Sequence, residues 1–231
     1  TSGSGAESTK FATIWSEKTK QKFSYENEYL IPDLVYLVPE FSKSLTHDLT
    51  LTTTLDALCH AVDSLLNKNS TEQSRDYSKK AISIISKNLT LLLDDLENIE
   101  LRKETLYASN LSGKAINISR TSLNHSISYP LTNYYGVPHG LACAFSVVTT
   151  FEYYKNQISN LDFGRYVNLA VEVIEQLNLS QIYKTKLKQL DVGIITDEAL
   201  KNSRSENFLF HIDKKVINHI LSEAKKYYLT A

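Results

Sequence analysis

Through most of this chain, apolar side chains recur at three- and four-residue steps, the signature of helices that each bury one face. Leu51, Leu55, Leu58, Val62 and Leu65 form one such stripe, and Ala81, Ile85, Leu89, Leu92, Leu96 and Ile99 form the next. Val167, Val171, Ile174 and Leu177 mark a third, and Val216, Ile220 and Ala224 a fourth. Thr46 and Asp48 stand where the first of these helices needs its cap. Ahead of them the pattern differs. Phe11-Ala12-Thr13-Ile14-Trp15 and Leu34-Val35-Tyr36-Leu37-Val38 are short β-prone runs, separated by a polar stretch and by Pro32-Asp33. The expectation is a mainly α protein: a helical bundle over 46–231 with a small β-containing piece over 1–45. Seven glycines and four prolines leave little to interrupt the helices.

Composition narrows the function classes. Of the 231 residues 42% are apolar and 22% charged, ordinary for a globular domain with a real core. A net charge of −1 gives no reason to expect nucleic acid or a membrane surface as partner. No apolar run approaches the roughly 18 residues of a membrane span. Thr1-Ser2-Gly3-Ser4-Gly5 is a polar glycine loop rather than a targeting signal, so the expected compartment is the cytoplasm. Such a loop also reads as the middle of a longer chain. Cys59 and Cys143 lie 84 positions apart with no CxxC spacing, and reduced, buried thiols are expected.

Candidate chemistry begins with Asp56 and His60. Their i,i+4 spacing puts both on one helix face, close enough to grip one ion, amid apolar neighbours that make an unpaired carboxylate costly. His125 falls late in a helical stretch that includes Ala115-Ile116-Asn117, and His139 follows Pro138 at a tight entry into another helix. His47, His211 and His219 sit in polar surroundings and read as surface residues. One aspartate and three histidines suit a mixed N/O site for iron or zinc. On residue type and spacing alone, a solvated helix face or a local hydrogen-bonded pair stays open.

Three segments together carry a more specific likeness. Thr1-Ser2-Gly3-Ser4-Gly5-Ala6-Glu7, Asp56-Ala57-Leu58-Cys59-His60-Ala61-Val62-Asp63 and Pro138-His139-Gly140 resemble the signature stretches of iron-containing (group III) alcohol dehydrogenases, in order and in spacing. The intervals are 65 residues from His60 to His125 and 14 from His125 to His139, and the likeness is good over roughly 1–155. The resemblance implies a dehydroquinate-synthase-like helical domain with Asp56, His60, His125 and His139 as ligands of a catalytic Fe2+ or Zn2+. It implies that Thr1, Ser2, Gly3 and Ser4, with Thr9, Phe11 and Lys22, follow an NAD(P)H cofactor. Residues 1–45 would then be the remnant of a dinucleotide-binding domain and 46–231 the metal-binding domain. The family's glycine-rich pyrophosphate turn would precede Thr1, so this stretch alone is expected to be inactive. A small aldehyde or alcohol is the implied substrate, and the family likeness allows a homodimer.

Departures from the family pattern also matter. Ser4 stands where the family has Thr, and Val38 precedes Pro39 where Asp is usual. Tyr129 replaces the second histidine found four residues after the third ligand, and a phenol is a poor base at neutral pH. Ser8-Thr9-Lys10-Phe11-Ala12, Ile118-Ser119-Arg120-Thr121 and His125-Ser126-Ile127-Ser128-Tyr129-Pro130-Leu131-Thr132 resemble phosphonoacetaldehyde reductases within the family. That likeness implies reduction of phosphonoacetaldehyde to 2-hydroxyethylphosphonate in phosphonate biosynthesis, with Arg120 and Tyr129 at the substrate and the Arg120 fork suited to a phosphonate. The alternatives are a dehydroquinate-synthase-like lyase, whose site would be richer in Lys and Arg, and a non-catalytic helical domain with structural histidines.

Overall fold

The Thr46 hydroxyl accepts the Leu49 N–H at 3.3 Å and so opens the first long helix, α1 (His47–Leu65), with Asp48 in its first turn. The computed structural model describes residues 3–16 and 21–230, and for 15, 16 and 21–23 the backbone alone. Leu51, Leu55, Leu58, Val62 and Leu65 are all buried, as their spacing requires. Each fully buried leucine of such a stripe contributes about 1.5–3 kcal/mol. After α1 come α2 (Glu72–Asp94), α3 (Ile99–Ser119), α4 (Leu123–Tyr135), α5 (His139–Ala144), α6 (Val147–Tyr153) and α7 (Lys155–Ser159). They are followed by α8 (Gly164–Gln176), α9 (Ser180–Lys186), α10 (Val192–Lys201) and α11 (Lys214–Lys225). α1 packs against α2, α3, α4, α5 and α8, which makes it the axis of the bundle.

Two helix boundaries differ from the periodic reading. The stripe from Ala81 to Ile99 spans two helices: α2 stops at Asp94, and Asn98 caps α3 by accepting the Leu101 N–H. The stretch holding Ala115 also ends before His125. α3 stops at Ser119, Arg120 takes a left-handed φ of 67°, and α4 restarts at Leu123. His125 is therefore in the first turn of α4 rather than late in a long helix.

In the front piece, β1 (Phe11–Ser16) pairs antiparallel with β2 (Gln21–Glu26), in a register that sets Phe11 opposite Glu26. The second β-prone run, Leu34–Val38, is not a strand. It has no ladder partner among the described residues, and Leu34 and Tyr36 are 66% and 80% exposed. The polar Gln21–Glu26 segment pairs instead because it follows β1 closely enough to fold back on it. No helix among the described residues is long and apolar enough to cross a membrane.

Candidate metal centre

Two close approaches of backbone and one turn bring the chemistry together. Gly5, at φ 83°, meets Gly113 of α3 so closely that a Cβ at Gly5 would lie 2.0 Å from the Ser109 carbonyl oxygen. This seats the 3–8 loop on the bundle with the Ser4 carbonyl beside His60. α4 ends at Gly136, and Pro138 turns the chain so that His139 is the first residue of α5. Gly140 then lies against α1, where an added Cβ would stand 1.8 Å from the Thr52 carbonyl oxygen. His139 is thereby held over the α1 face that carries Asp56 and His60.

The four side chains singled out from sequence converge. Asp56 Oδ1 lies 3.6 Å from His60 Nε2, 3.5 Å from His125 Nε2 and 3.7 Å from His139 Nε2. These separations exceed a good hydrogen bond. They match the edge of a tetrahedron, about 3.4 Å when metal–ligand bonds are about 2.1 Å. The His60 and His125 rings stack at 4.7 Å, and His125 Nε2 is buried with no hydrogen-bond partner. A buried nitrogen lone pair without a donor is what an ion would satisfy, so the residues present fit a divalent metal.

The outward ring nitrogens fix the tautomers. His60 Nδ1 sits 3.1 Å from the Ser4 carbonyl and His125 Nδ1 2.8 Å from Asp63 Oδ2. A carbonyl and a carboxylate only accept, so both Nδ1 atoms carry a proton, and in the neutral rings both Nε2 lone pairs face Asp56. Asp63 has no solvent exposure and also accepts from the Ser122 N–H at 2.8 Å, the Asn124 amide at 2.8 Å and the His125 N–H at 3.2 Å. Burial works against its charge, but the His125 ring and these donors hold its carboxyl below the usual range.

Electrostatics separates the histidines. Burial takes His60 down to about 4 against the pull of Asp56, with charge on His125 and His139 adding to the fall. Burial also opposes a proton on His125, yet Cys143, Asp56 and Asp63 raise its pKa well above the usual value. Asp56 is held low, because charge on the three rings overcomes its burial.

Two neighbours were missed by sequence reasoning. Cys143, one turn after His139 on α5, places Sγ 3.7 Å from His139 Nε2 and 3.9 Å from Asp56 Oδ1. One donor atom each from Asp56, His125, His139 and Cys143 lies within 4.8 Å of the others, while His60 stands outside that group. Both cysteines are free and buried, as expected. Burial raises the Cys143 thiol, but charge on His125 and His139 outweighs it and brings it down to about 7. The i,i+4 step from His139 was the available signal. The second neighbour is Arg204, whose Nη1 donates to the Tyr129 hydroxyl, and nothing in its local sequence marks it.

Asp56, the three histidines, Ser4, Tyr129 and Arg204 line one cleft of about 880 Å3, which Cys143 and Asp63 do not reach. Its opposite wall is the β1–β2 hairpin, through Phe11, Ala12, Thr13, Ser24, Tyr25 and Glu26. Of the residues expected to follow a cofactor, Ser4, Thr9 and Phe11 line this cleft, and the buried Thr9 hydroxyl donates to the Ala6 carbonyl at 2.9 Å. Gly3, at φ 101°, lies against Thr53 instead. Lys22 is in β2 with its side chain outside the described set, and Thr1 and Ser2 lie outside the described residues. Tyr129 stacks on the His139 ring at 5.8 Å, and burial raises its pKa against the nearby Arg204. Arg120 also faces the cleft, but by a route other than helix geometry. It follows the end of α3, and its Nη2 holds Glu26 at 2.5 Å. His47, His211 and His219 are exposed and apart from the site.

Comparison with known proteins places this geometry. The chain is similar to phosphonoacetaldehyde reductase of Streptomyces viridochromogenes, 34% identical over 153 residues that cover 66% of this chain and 39% of the relative. It is 27% identical to the NAD-dependent methanol dehydrogenase of Bacillus methanolicus, covering 87% of this chain and 58% of that one. Among solved structures, a 1,3-propanediol oxidoreductase superposes with a TM-score of 0.85 at 23% identity, over 96% of this chain and 63% of the other. Sulfoacetaldehyde reductase from Bifidobacterium kashiwanohense, solved with NAD+, gives 0.83 at 20% identity, over 96% and 62%, a likeness of fold alone. The chain thus spans less than two thirds of the length of each of these relatives, from 39% to 63%. Residues 50–224 match the model of the Fe-containing alcohol dehydrogenase family, C-terminal, and the chain belongs to that family.

Proposed function

We propose that this chain is the metal-bearing part of an NAD(P)H-dependent aldehyde reductase of the iron type, with phosphonoacetaldehyde as substrate and 2-hydroxyethylphosphonate as product. The carrying observation is the set of three imidazole Nε2 atoms within 3.7 Å of one Asp56 oxygen, one of them buried without a partner. Asp56, His60, His125 and His139 would hold Fe2+ or Zn2+, which supplies Lewis-acid charge where alkoxide develops while the nicotinamide supplies hydride. The protein's own part is orientation and exclusion of water. Ser4 and Asp63 keep both Nε2 lone pairs turned inward, and the hairpin covers the cleft so that charges inside it act at low dielectric. Tyr129, beside His139, offers a hydroxyl to the substrate. We assign residues 1–45 to the cofactor-lining part and 46–231 to the metal-binding domain. The exposure of Tyr29, Leu34, Tyr36 and Phe41 supports this division, since these apolar groups have no cover among the described residues.

The substrate reading rests on the likeness to the Streptomyces reductase together with the cationic groups in the cleft. Its test is elemental analysis of the full-length protein, then assay of NADH and NADPH oxidation with phosphonoacetaldehyde and propanal. About one iron or zinc per chain and turnover of the phosphonate are expected. Protein without metal and inert toward both aldehydes would overturn the proposal.

A further inference from the structure

The cleft wall beside the candidate metal centre carries three cations, and they are not equivalent. Lys201 Nζ is engaged by Glu198 at 2.7 Å and Arg120 Nη2 by Glu26 at 2.5 Å. Among the described residues Arg204 has no carboxylate partner, and its guanidinium leans over the Tyr129 ring, 5.1 Å from the centroid, while giving one N–H to that hydroxyl. A guanidinium has five donors in a fixed fork, so most of this one is unspent in a half-buried place where water solvates it poorly.

Its backbone is held firmly. The Arg204 N–H donates to Asn202 Oδ1 at 3.0 Å, and the Asn207 amide donates to the Thr121 carbonyl at 3.0 Å. Phe208 bridges to Asn67 beyond the end of α1. The segment therefore docks beside the start of α4, the helix that carries both His125 and Tyr129. Since Tyr129 stacks on His139, a single aromatic ring separates the guanidinium from the metal-binding group.

We propose that Arg204, oriented by Tyr129, is the anion anchor of this site and selects a short aldehyde ending in a phosphonate. This rests on the aldehyde-reductase reading and names the residue that would set its substrate class. The forked N–H pair suits two phosphonate oxygens, while the carbonyl of a two-carbon chain reaches back past Tyr129 toward the histidines. Arg120 is the weaker anchor. To receive an anion it would have to release Glu26, the contact that ties the end of α3 to the hairpin, and Glu26 would then face the anion with like charge.

The test uses full-length, metal-loaded protein with Arg204→Ala, Arg204→Lys and Arg120→Ala variants, each checked for metal content and melting temperature. The ratio of kcat/KM for phosphonoacetaldehyde to that for propanal should fall about ten- to a hundredfold in Arg204→Ala, the worth of a charge-assisted pair. Arg204→Lys should lie between, and Arg120→Ala should leave the ratio in place. Methylphosphonate, titrated calorimetrically, should bind the wild type and lose affinity by a similar factor in Arg204→Ala. Equal losses on both aldehydes, a ratio governed by Arg120, or an unaltered ratio in Arg204→Lys should the alanine variant not fold, would each overturn the anchor. Arg204-dependent methylphosphonate binding without turnover of any aldehyde would sustain the anchor and sink the reductase reading.

Discussion

Asp63 orients the candidate ligand His125 without belonging to the candidate set. All four groups it meets are donors: the His125 ring, two backbone N–H groups and the Asn124 amide. Asp63→Asn keeps the shape but turns one acceptor into a donor. The amide oxygen would keep the Oδ2 position, where three donors meet, so its NH2 would oppose the Asn124 amide and His125 Nδ1–H would lose the carboxylate that makes the ring a stronger ligand. Zinc or cobalt affinity in the variant is expected to fall about 10–100-fold, the usual cost of losing such a partner. Unaltered affinity in a folded Asp63→Asn protein would show that His125 is oriented by packing alone. At this scale the sequence was informative where spacing is local. Asp56 and His60 are visible as an i,i+4 pair, and Cys143 stands equally visibly one turn from His139, although a cysteine without CxxC spacing signals only a buried thiol. Arg204 was not legible, because it reaches the site only through the docking of 202–208 beside α4.

Elements hold the site through close backbone approaches. At Gly140 any Cβ would collide with the Thr52 carbonyl and crowd the Asp56 N–H at 2.9 Å, and backbone on a central helix cannot yield cheaply. Gly140→Ala is expected to destabilise the fold by about 3 kcal/mol or more and, by lifting α5 off α1, to weaken metal binding as well. Thr71→Ala serves as comparison. It breaks the reciprocal cap between Thr71 and Ser74 at the start of α2 and should cost about 0.5–2 kcal/mol while leaving metal affinity alone. Denaturant unfolding with parallel metal titration separates the two. A Gly140→Ala protein of wild-type stability would mean that the α1–α5 contact is looser than described. The long helices were legible because a buried stripe repeats over several turns. The break at 119–123 was not, since Arg120 adopts positive φ with no glycine or proline to announce it. β2 escaped too, because Gln21–Glu26 is polar and owes its strand to β1 rather than to composition.

Across the whole molecule, the candidate ligands come from α1, α4 and α5, and Ser4 adds the front loop through His60. An ion bound there ties together segments that unfolding would separate, so it should raise the melting temperature, with a stabilisation of about 2.7 kcal/mol at a free concentration a hundred times Kd. The pH dependence follows from the histidines. His60 is already neutral at pH 7, its pKa standing at about 4, and resists the metal little. His125 and His139 have raised pKa values, for His139 because Cys143 and Asp56 outweigh burial, so metal and protons compete for them. The sign runs in opposite directions in the two states. Without metal, a histidine whose folded pKa is raised stabilises the fold at low pH, and that contribution is lost as pH rises through the folded value. With metal, those protons must leave, so below the raised pKa values apparent affinity should drop roughly tenfold for each unit that pH falls, per proton displaced. The gap in melting temperature between zinc-loaded and chelator-treated protein should therefore widen steadily from pH 6 to pH 8. Calorimetry in buffers of different ionisation enthalpy should record one to two protons released per metal bound. A gap that is constant across this range, with no proton release, would mean that His125 and His139 are neutral before the metal arrives, and that Asp56 and Asp63 do not hold His125 in its charged form.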